Sequence, residues 1–430
     1  MTTRFVFVHL PGAHEAVPAG RLRIQSDPRT GGFVSSDFLY GGLYVRRADA
    51  IAIDPVSLPL PERGERPVLQ RPANGLPMFG AVRDAAPDMW GRRVIENRLH
   101  RPGPLPEWMY LDHAGADRAG ALEVRAHVDG AQAEHTLPLQ VDLPYLLQAA
   151  EAIEAGEQVP ATLAHLFEGG PTMGGMRPKA VIRHEGESFI AKFPSRNDRF
   201  DVPAIEQATL RLAGEAGLRV PQTRVQRLPD GRSIMLIKRF DRMPSTGGQT
   251  RIHMVSALTM LAVDEMQSTQ MAYSDIADVI GHRGVVDQVQ ADRSELFGRM
   301  VFNILVHNND DHLRNHAFLH AGDAGWRLSP LYDVVPTPSG SHERYLNLAI
   351  GAQGRSARLD NALSAAGQFG LRQVEAAGII DRIHRVVRQW RMTFEREGIS
   401  TAECDKVASA FLDARLLGLE EALEPLRGRE

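Results

Sequence analysis

The chain has 430 residues and a single cysteine, Cys404. One thiol excludes an intramolecular disulfide framework and a cysteine-rich zinc module, and it fits a reducing cytoplasm. No stretch approaches the ~20 consecutive apolar residues that would span a bilayer. The apolar patch in "MTTRFVFVHLPGAH" is far shorter than a secretory core segment and alternates as a strand does. A net charge of −4 offers no excess of positive charge for nucleic acid. Internal repeats and low-complexity tails are also missing. These absences predict a cytoplasmic globular protein with no membrane association.

What is present suits a folded chain of about two or three domains, with 43% hydrophobic and 24% charged residues. "RFVFVHL" and "GGLYVRRADAIAID" (41–54) alternate apolar and polar residues and predict short strands. Residues 58–78 carry many prolines and predict a connector, after which "PDMWGRRVIENRLH" (87–100) restores helical spacing. "LPYLLQAAEAIEAG" (143–156) predicts a second helix. "PKAVIRH" and "SFIAKFP" predict two strands joined by a tight turn. "DVPAIEQATLRLAGEAGL" (201–218) predicts a helix closed by Gly217, and "RSIMLIKRFDR" (232–242) a further strand. From about 250 the pattern is mainly helical, apart from a hairpin in "NHAFLHAGDAGWRLSP". "RQVEAAGIIDRIHRVVRQWRMTFERE" is one amphipathic run. Strands first and helices second predict a two-lobed α+β fold.

The segment "VHNNDDHLRNHAF" (306–318) holds two aspartates, three asparagines and three histidines. A zinc site would use His312 and His316, four apart, but no glutamate follows His312 and the local sequence favours a loop over a helix interior. Phosphoryl transfer would use other residues. Asp310 and Asn315 have the separation of the base and the metal-binding asparagine in a protein-kinase catalytic loop. A hairpin then leads to "LYDVVP" and Asp333, the place of a second metal-binding residue. Oxygen donors of this kind suit a hard cation such as Mg²⁺ better than imidazole does.

A kinase also needs a strand lysine for the ATP phosphates and a glutamate on the next helix to position it. Lys192 in "SFIAKFP" and Glu206 in the following helix stand at those places. "TMGGMRPK" (172–179) contains neither a G-x-G-x-x-G nor a Walker A sequence. Gly174 and Gly175 would nevertheless let backbone N–H groups approach phosphates, with Lys179 as a nearby point charge.

Together, "GGMRPKA", "AKFP", "KRFDR", "HNNDDHLRNHAFL" and "LSPLYDVVP" resemble the HipA family. "FGAVRDAAPDMWGRRVI" and "DRAGALEV" extend the likeness through the N-terminal third. Members of that family are serine/threonine kinases that act as toxins of bacterial type II toxin–antitoxin systems, with a kinase-like fold. The resemblance implies an N-terminal HipA-type subdomain over 1–105. The rest of a strand-rich N-lobe follows over 106–240, with the Gly-rich loop, ATP lysine and hinge strand, and a helical C-lobe over 241–430. It implies Asp310 as catalytic base, Asn315 and Asp333 as Mg²⁺ ligands, and Lys192 as the ATP lysine. By the same likeness Gly174, Gly175, Met176, Arg177, Pro178 and Lys179 form the phosphate loop. Lys238, Arg239 and Phe240 form the adenine-contacting hinge, and His312 lies in the nucleotide-contacting loop.

The family's self-phosphorylated serine has its counterpart in Thr172. Threonine keeps the hydroxyl, so autophosphorylation and a plain turn role both stay open. The resemblance further implies an aminoacyl-tRNA synthetase as substrate, growth arrest as outcome, and a DNA-binding HipB-like antitoxin as partner, with DNA contacted through that antitoxin. The rival from a different class is a non-catalytic, nucleotide-binding pseudokinase. Such proteins usually lose the base, the metal aspartate or the lysine, whereas Asp310, Asp333 and Lys192 are all present.

Overall fold

A computed structural model of the chain describes residues 1–27, 29, 32–62, 64–129, 137–159 and 175–427. The alternating N-terminal segments form antiparallel strands β1 (Thr2–His9), β2 (Ala16–Ser26) and β3 (Phe33–Tyr40). Leu22 and Ile24 point inward from β2 and are fully buried, which pins the register, since a one-residue slip would turn them to solvent. Residues 41–54 alternate as a strand would, yet they form a series of turns. Side-chain bonds replace a ladder there: Tyr44 Oη donates to the Ile51 carbonyl at 2.7 Å, and Tyr40 Oη accepts the Ile53 N–H at 3.1 Å. Of the apolar side chains there, Tyr44, Ile51 and Ile53 enter the core from the turns, whereas Leu43 stays exposed.

Helices α1 (Gly80–Asp84), α2 (Met89–Arg98) and α3 (Glu107–His113) lead to β4 (Leu122–Arg125) and α4 (Leu143–Glu154). β5 (Lys179–His184) and β6 (Glu187–Lys192) form a hairpin whose turn residues, Glu185 and Gly186, both have positive φ. α5 (Val202–Glu215) starts at the Asp201 cap, whose carboxylate accepts the Ala204 N–H, and ends before Gly217 at φ +84°. Strands β7 (Thr223–Arg227), β8 (Ser233–Lys238), β9 (Arg242–Ser245), β10 (Gly248–Arg251) and β11 (Met254–Ser256) precede the short α6 (Ala257–Met260). Next come α7 (Tyr273–Arg283), α8 (Val289–Val306), the hairpin β12 (Ala317–His320) and β13 (Trp326–Leu328), and α9 (Leu359–Ser364). α10 (Gln373–Val387), α11 (Trp390–Arg396), α12 (Thr401–Val407) and α13 (Leu419–Arg427) complete the chain. The single amphipathic run across 372–397 is therefore two helices. They part at Arg388–Gln389, and Trp390 then stacks on Phe411 with ring centroids 4.1 Å apart.

The chain forms two compact units, Met1–Arg196 with Met235–Val263, and Asn197–Ile234 with Asp264–Glu430. The first contains the sheet β3-β2-β1-β4 and the antiparallel pairing of β5, β6 and β8. The second is built around α8, every residue of which from Leu296 to Val306 is buried. Gly298 allows the close approach of α10, because a Cβ there would lie 2.9 Å from Leu218 and 3.4 Å from Ile383. No helix among the described residues is long and apolar enough to cross a membrane.

Candidate active site

The buried end of α8 is a rigid support for the loop that leaves it. The helix stops at His307, which takes a left-handed conformation at φ +50°. Residues 308–312 then run as a loop into the 3-10 turn Leu313–Asn315. Within this loop the Asp310 carbonyl accepts from the His312 N–H at 3.0 Å and from Asn315 Nδ2 at 2.8 Å. The second bond fixes the Asn315 amide and leaves its oxygen as the atom able to ligate a cation. Asp333, beyond the β12–β13 hairpin, also has a left-handed backbone, φ +57°, which Asp tolerates better than most residues.

Asp310 is exposed, but partial burial raises its carboxyl pKa; His312 opposes this and the charge of nearby Asp333 adds to it. The structure therefore brings Asp310, His312, Asn315 and Asp333 together in one place. Mg²⁺ characteristically takes one or two carboxylates and completes its shell with waters and substrate phosphates. Asp333 and the Asn315 oxygen fit that demand, and a cation between them would offset the repulsion of two neighbouring carboxylates. Among the described residues no group of three or more His, Cys, Asp or Glu is arranged to hold a metal.

Beneath the loop lies a polar cluster that sequence reasoning did not identify. Asp311 is buried, and its carboxylate accepts from Tyr273 Oη and, at 3.1 Å, from the Asn347 N–H. Asn303 Nδ2 donates to Tyr273 Oη at 2.9 Å, and Asn308 Nδ2 donates to Asn303 Oδ1 at 3.2 Å. Burial drives the Asp311 pKa up to about 7, against the opposing hydrogen bonds. Its unfolded value is about 3.9, so the native state holds the extra proton between those limits, and stability falls as pH rises through that window. Denaturation at pH 5 and pH 8 should show wild type losing more stability than Asp311→Asn on going to pH 8. Equal losses would refute the assignment. His316, packed edge-on against Tyr273, is pushed down to about 3 by burial and stays neutral.

The remaining expected site residues fall in both units. Lys179 and Lys192 are directly opposed partners of the β5–β6 ladder. Like charges so placed repel, and Lys179 is buried with its ammonium 2.7 Å from the Asp88 carboxylate, the N-cap of α2. A Cβ on Gly175 would come within 3.0 Å of that ammonium, so the loop backbone runs close to it. Met176 is exposed and Pro178 buried, its carbonyl accepting the Phe193 N–H at 2.9 Å; Arg177 is half-buried. Thr172 and Gly174 lie outside the described residues. Lys238 pairs with Glu187, and Phe240 is half-buried. Arg239 is buried between Asp117 and Asp241 rather than presented to solvent. Glu206 is buried on α5 in the second unit, whereas Lys192 belongs to the first.

Residues 172–390, just over half of the chain, match the HipA-like C-terminal domain family. The chain belongs to that family. Two relatives from Sinorhizobium fredii (strain NBRC 101917 / NGR234) are named as kinases. "Putative kinase Y4dM" is 27% identical over 238 residues, 52% of this chain and 55% of its own length. "Putative kinase Y4mE" is 27% identical over 311 residues, 66% of this chain and 68% of its own length. The HipA-like chain thus spans about half of the first relative and two thirds of the second. Among solved structures, a chain of the Shewanella oneidensis MR-1 toxin–antitoxin complex of HipA, HipB and operator DNA superimposes with a TM-score of 0.66 at 16% identity. That match covers 99% of this chain and 100% of the other. The fold is accordingly α+β, kinase-like and of the HipA type.

Proposed function

We propose that this HipA-like chain is an ATP- and Mg²⁺-dependent serine/threonine protein kinase and the toxin of a type II toxin–antitoxin pair. The observation that carries this reading is the gathering of Asp310, Asn315 and Asp333 at the end of α8, with the Asn315 amide fixed by the Asp310 carbonyl. Bound Mg²⁺·ATP supplies the γ-phosphoryl group and neutralises charge during its transfer. Asp310 orients the substrate hydroxyl and takes its proton as the hydroxyl oxygen bonds to phosphorus and the β–γ bridge breaks. A carboxylate held above its ordinary pKa accepts that proton more readily. The Asn315 oxygen and Asp333 hold the cation. Lys192 binds the phosphates, with Lys179 beside it and residues 174–178 as the phosphate loop. Glu206 serves Lys192, the backbone of Lys238–Phe240 receives the adenine, and His312 lines the nucleotide side of the loop.

An aminoacyl-tRNA synthetase is the proposed protein substrate. A HipB-like antitoxin is the proposed partner, a reading supported by the complex in which the fold neighbour was solved. Phosphorylation of Thr172 would add about −1.5 to −2 charges beside the phosphate site and so inactivate the enzyme. The test is transfer of labelled γ-phosphate to cell extract, followed by identification of labelled bands and phosphopeptide mapping. A labelled synthetase and a labelled Thr172 peptide are expected. If ATP binds but no protein is labelled, the chain itself included, the pseudokinase alternative replaces the kinase.

A further inference from the structure

The loops that carry the proposed base and cation ligands have no regular secondary structure apart from one 3-10 turn. The β12–β13 ladder joins the two loops as far as the Ser329 N–H, which donates to the Ala317 carbonyl at 2.8 Å; beyond it neither ladder nor helix sets the distance between the site residues. Side-chain hydrogen bonds do so at two points. Immediately before Asp333, Tyr332 Oη donates to the Arg314 carbonyl at 2.6 Å, next in the chain to Asn315. After Asp333, Thr337 Oγ1 donates to Asn309 Oδ1 at 2.9 Å, next in the chain to Asp310. Thr337 is tied further by its backbone: its N–H donates to the His307 carbonyl at 3.0 Å, and His307 Nδ1 donates to the Thr337 carbonyl at 2.6 Å. Each attachment lands beside a site residue, and the two bracket Asp333, whose own backbone is left-handed.

We infer that Tyr332 and Thr337 are positioning residues that hold Asp333 in register with Asn315 and Asp310, so that the cation site is assembled by side-chain bonds between two irregular loops. The inference rests on the reading of Asn315 and Asp333 as cation ligands. Both residues are suited to minimal replacement, since Tyr332→Phe and Thr337→Val remove a hydroxyl and keep the shape. Thr337→Ser keeps the hydroxyl and serves as the rescue.

The probe is Mn²⁺, titrated into the full chain saturated with ADP and followed by the electron paramagnetic resonance signal of the free ion. ADP affinity without metal is measured alongside. Tyr332→Phe and Thr337→Val should each weaken Mn²⁺ binding about three- to tenfold, as expected for one hydrogen bond. Metal-free ADP affinity should stay within about twofold, and Thr337→Ser should bind Mn²⁺ as wild type does. A mere loss of folded protein would lower the number of sites for both ligands and leave the Mn²⁺ affinity of the remainder unchanged. That outcome, or unchanged Mn²⁺ affinity in both hydroxyl deletions, overturns the positioning role. Wild type that binds no Mn²⁺, or Asp333→Ala that binds it as wild type does, overturns the underlying cation reading and the inference with it.

Discussion

Asp310→Asn is expected to lower phosphoryl transfer by about 10²–10⁴-fold, the range for losing a general base. Nucleotide affinity should change little. Asparagine matches the shape of aspartate but cannot accept a proton, and the contacts that shape the loop come from the Asp310 carbonyl rather than its carboxylate. The side chain is exposed, so the variant should also fold normally. Initial rates of labelled-phosphate transfer over a range of ATP concentrations separate the two effects: kcat falls and KM for ATP stays close to wild type. Retention of more than a tenth of wild-type kcat would remove Asp310 from the base role. Asp333→Asn should differ in kind, because it weakens the proposed cation ligand, and part of its loss should be recovered by raising Mg²⁺.

The pattern of Asp310, Asn315 and Asp333 could be read in the sequence because all three lie within one short stretch joined by a hairpin, where spacing alone limits the geometry. Helices α2, α4 and α5 were legible for a similar reason, since caps and apolar periodicity are local signals. Adjacent residues with opposite roles were not legible. Asp310 and Asp311 are identical in the sequence, yet one is exposed and the other is buried against Tyr273. Which way each points depends on how the loop leaves His307, and that in turn depends on Thr337, far along the chain. The pairing of Lys179 with Asp88 was hidden by the same kind of distance. Asp88 is the N-cap of α2, and nothing local revealed the second duty of its carboxylate. The turns of 41–54 mimicked a strand because Tyr44, Ile51 and Ile53 are buried there without an extended backbone.

The largest stability loss is expected at Asp241, in the segment that resembles the family's hinge. Its carboxylate is fully buried and accepts from Arg239 Nε at 2.9 Å, Arg239 Nη2 at 2.8 Å, Arg242 Nη1 at 2.9 Å and the Gly120 N–H at 2.7 Å. Burial alone would raise its pKa, but Arg239 and Arg242 outweigh this and hold it below the usual carboxylate range. Asp241→Ala would leave two buried guanidiniums sharing Asp117, together with an unpaired Gly120 N–H. Removing one partner of a buried ion pair costs about 3–5 kcal/mol. Urea denaturation should show that loss, whereas Glu187→Ala, which breaks the partly exposed pair with Lys238, should cost no more than about 1 kcal/mol. A cost for Asp241→Ala as small as for Glu187→Ala would mean that water or neighbouring groups replace the carboxylate. The cluster has a further consequence for the nucleotide. Arg239 lies between Lys238 and Phe240, and its N–H donates to the Ser188 carbonyl at 3.0 Å while its guanidinium is fixed by Asp117, Asp241 and the Arg118 carbonyl. The side chain of Arg239, central in the proposed hinge, is thus fully committed to the protein, so recognition of adenine at the proposed site would come from the backbone. Substitutions of Arg239 should therefore act on stability first and on ATP affinity only through the displacement of that backbone.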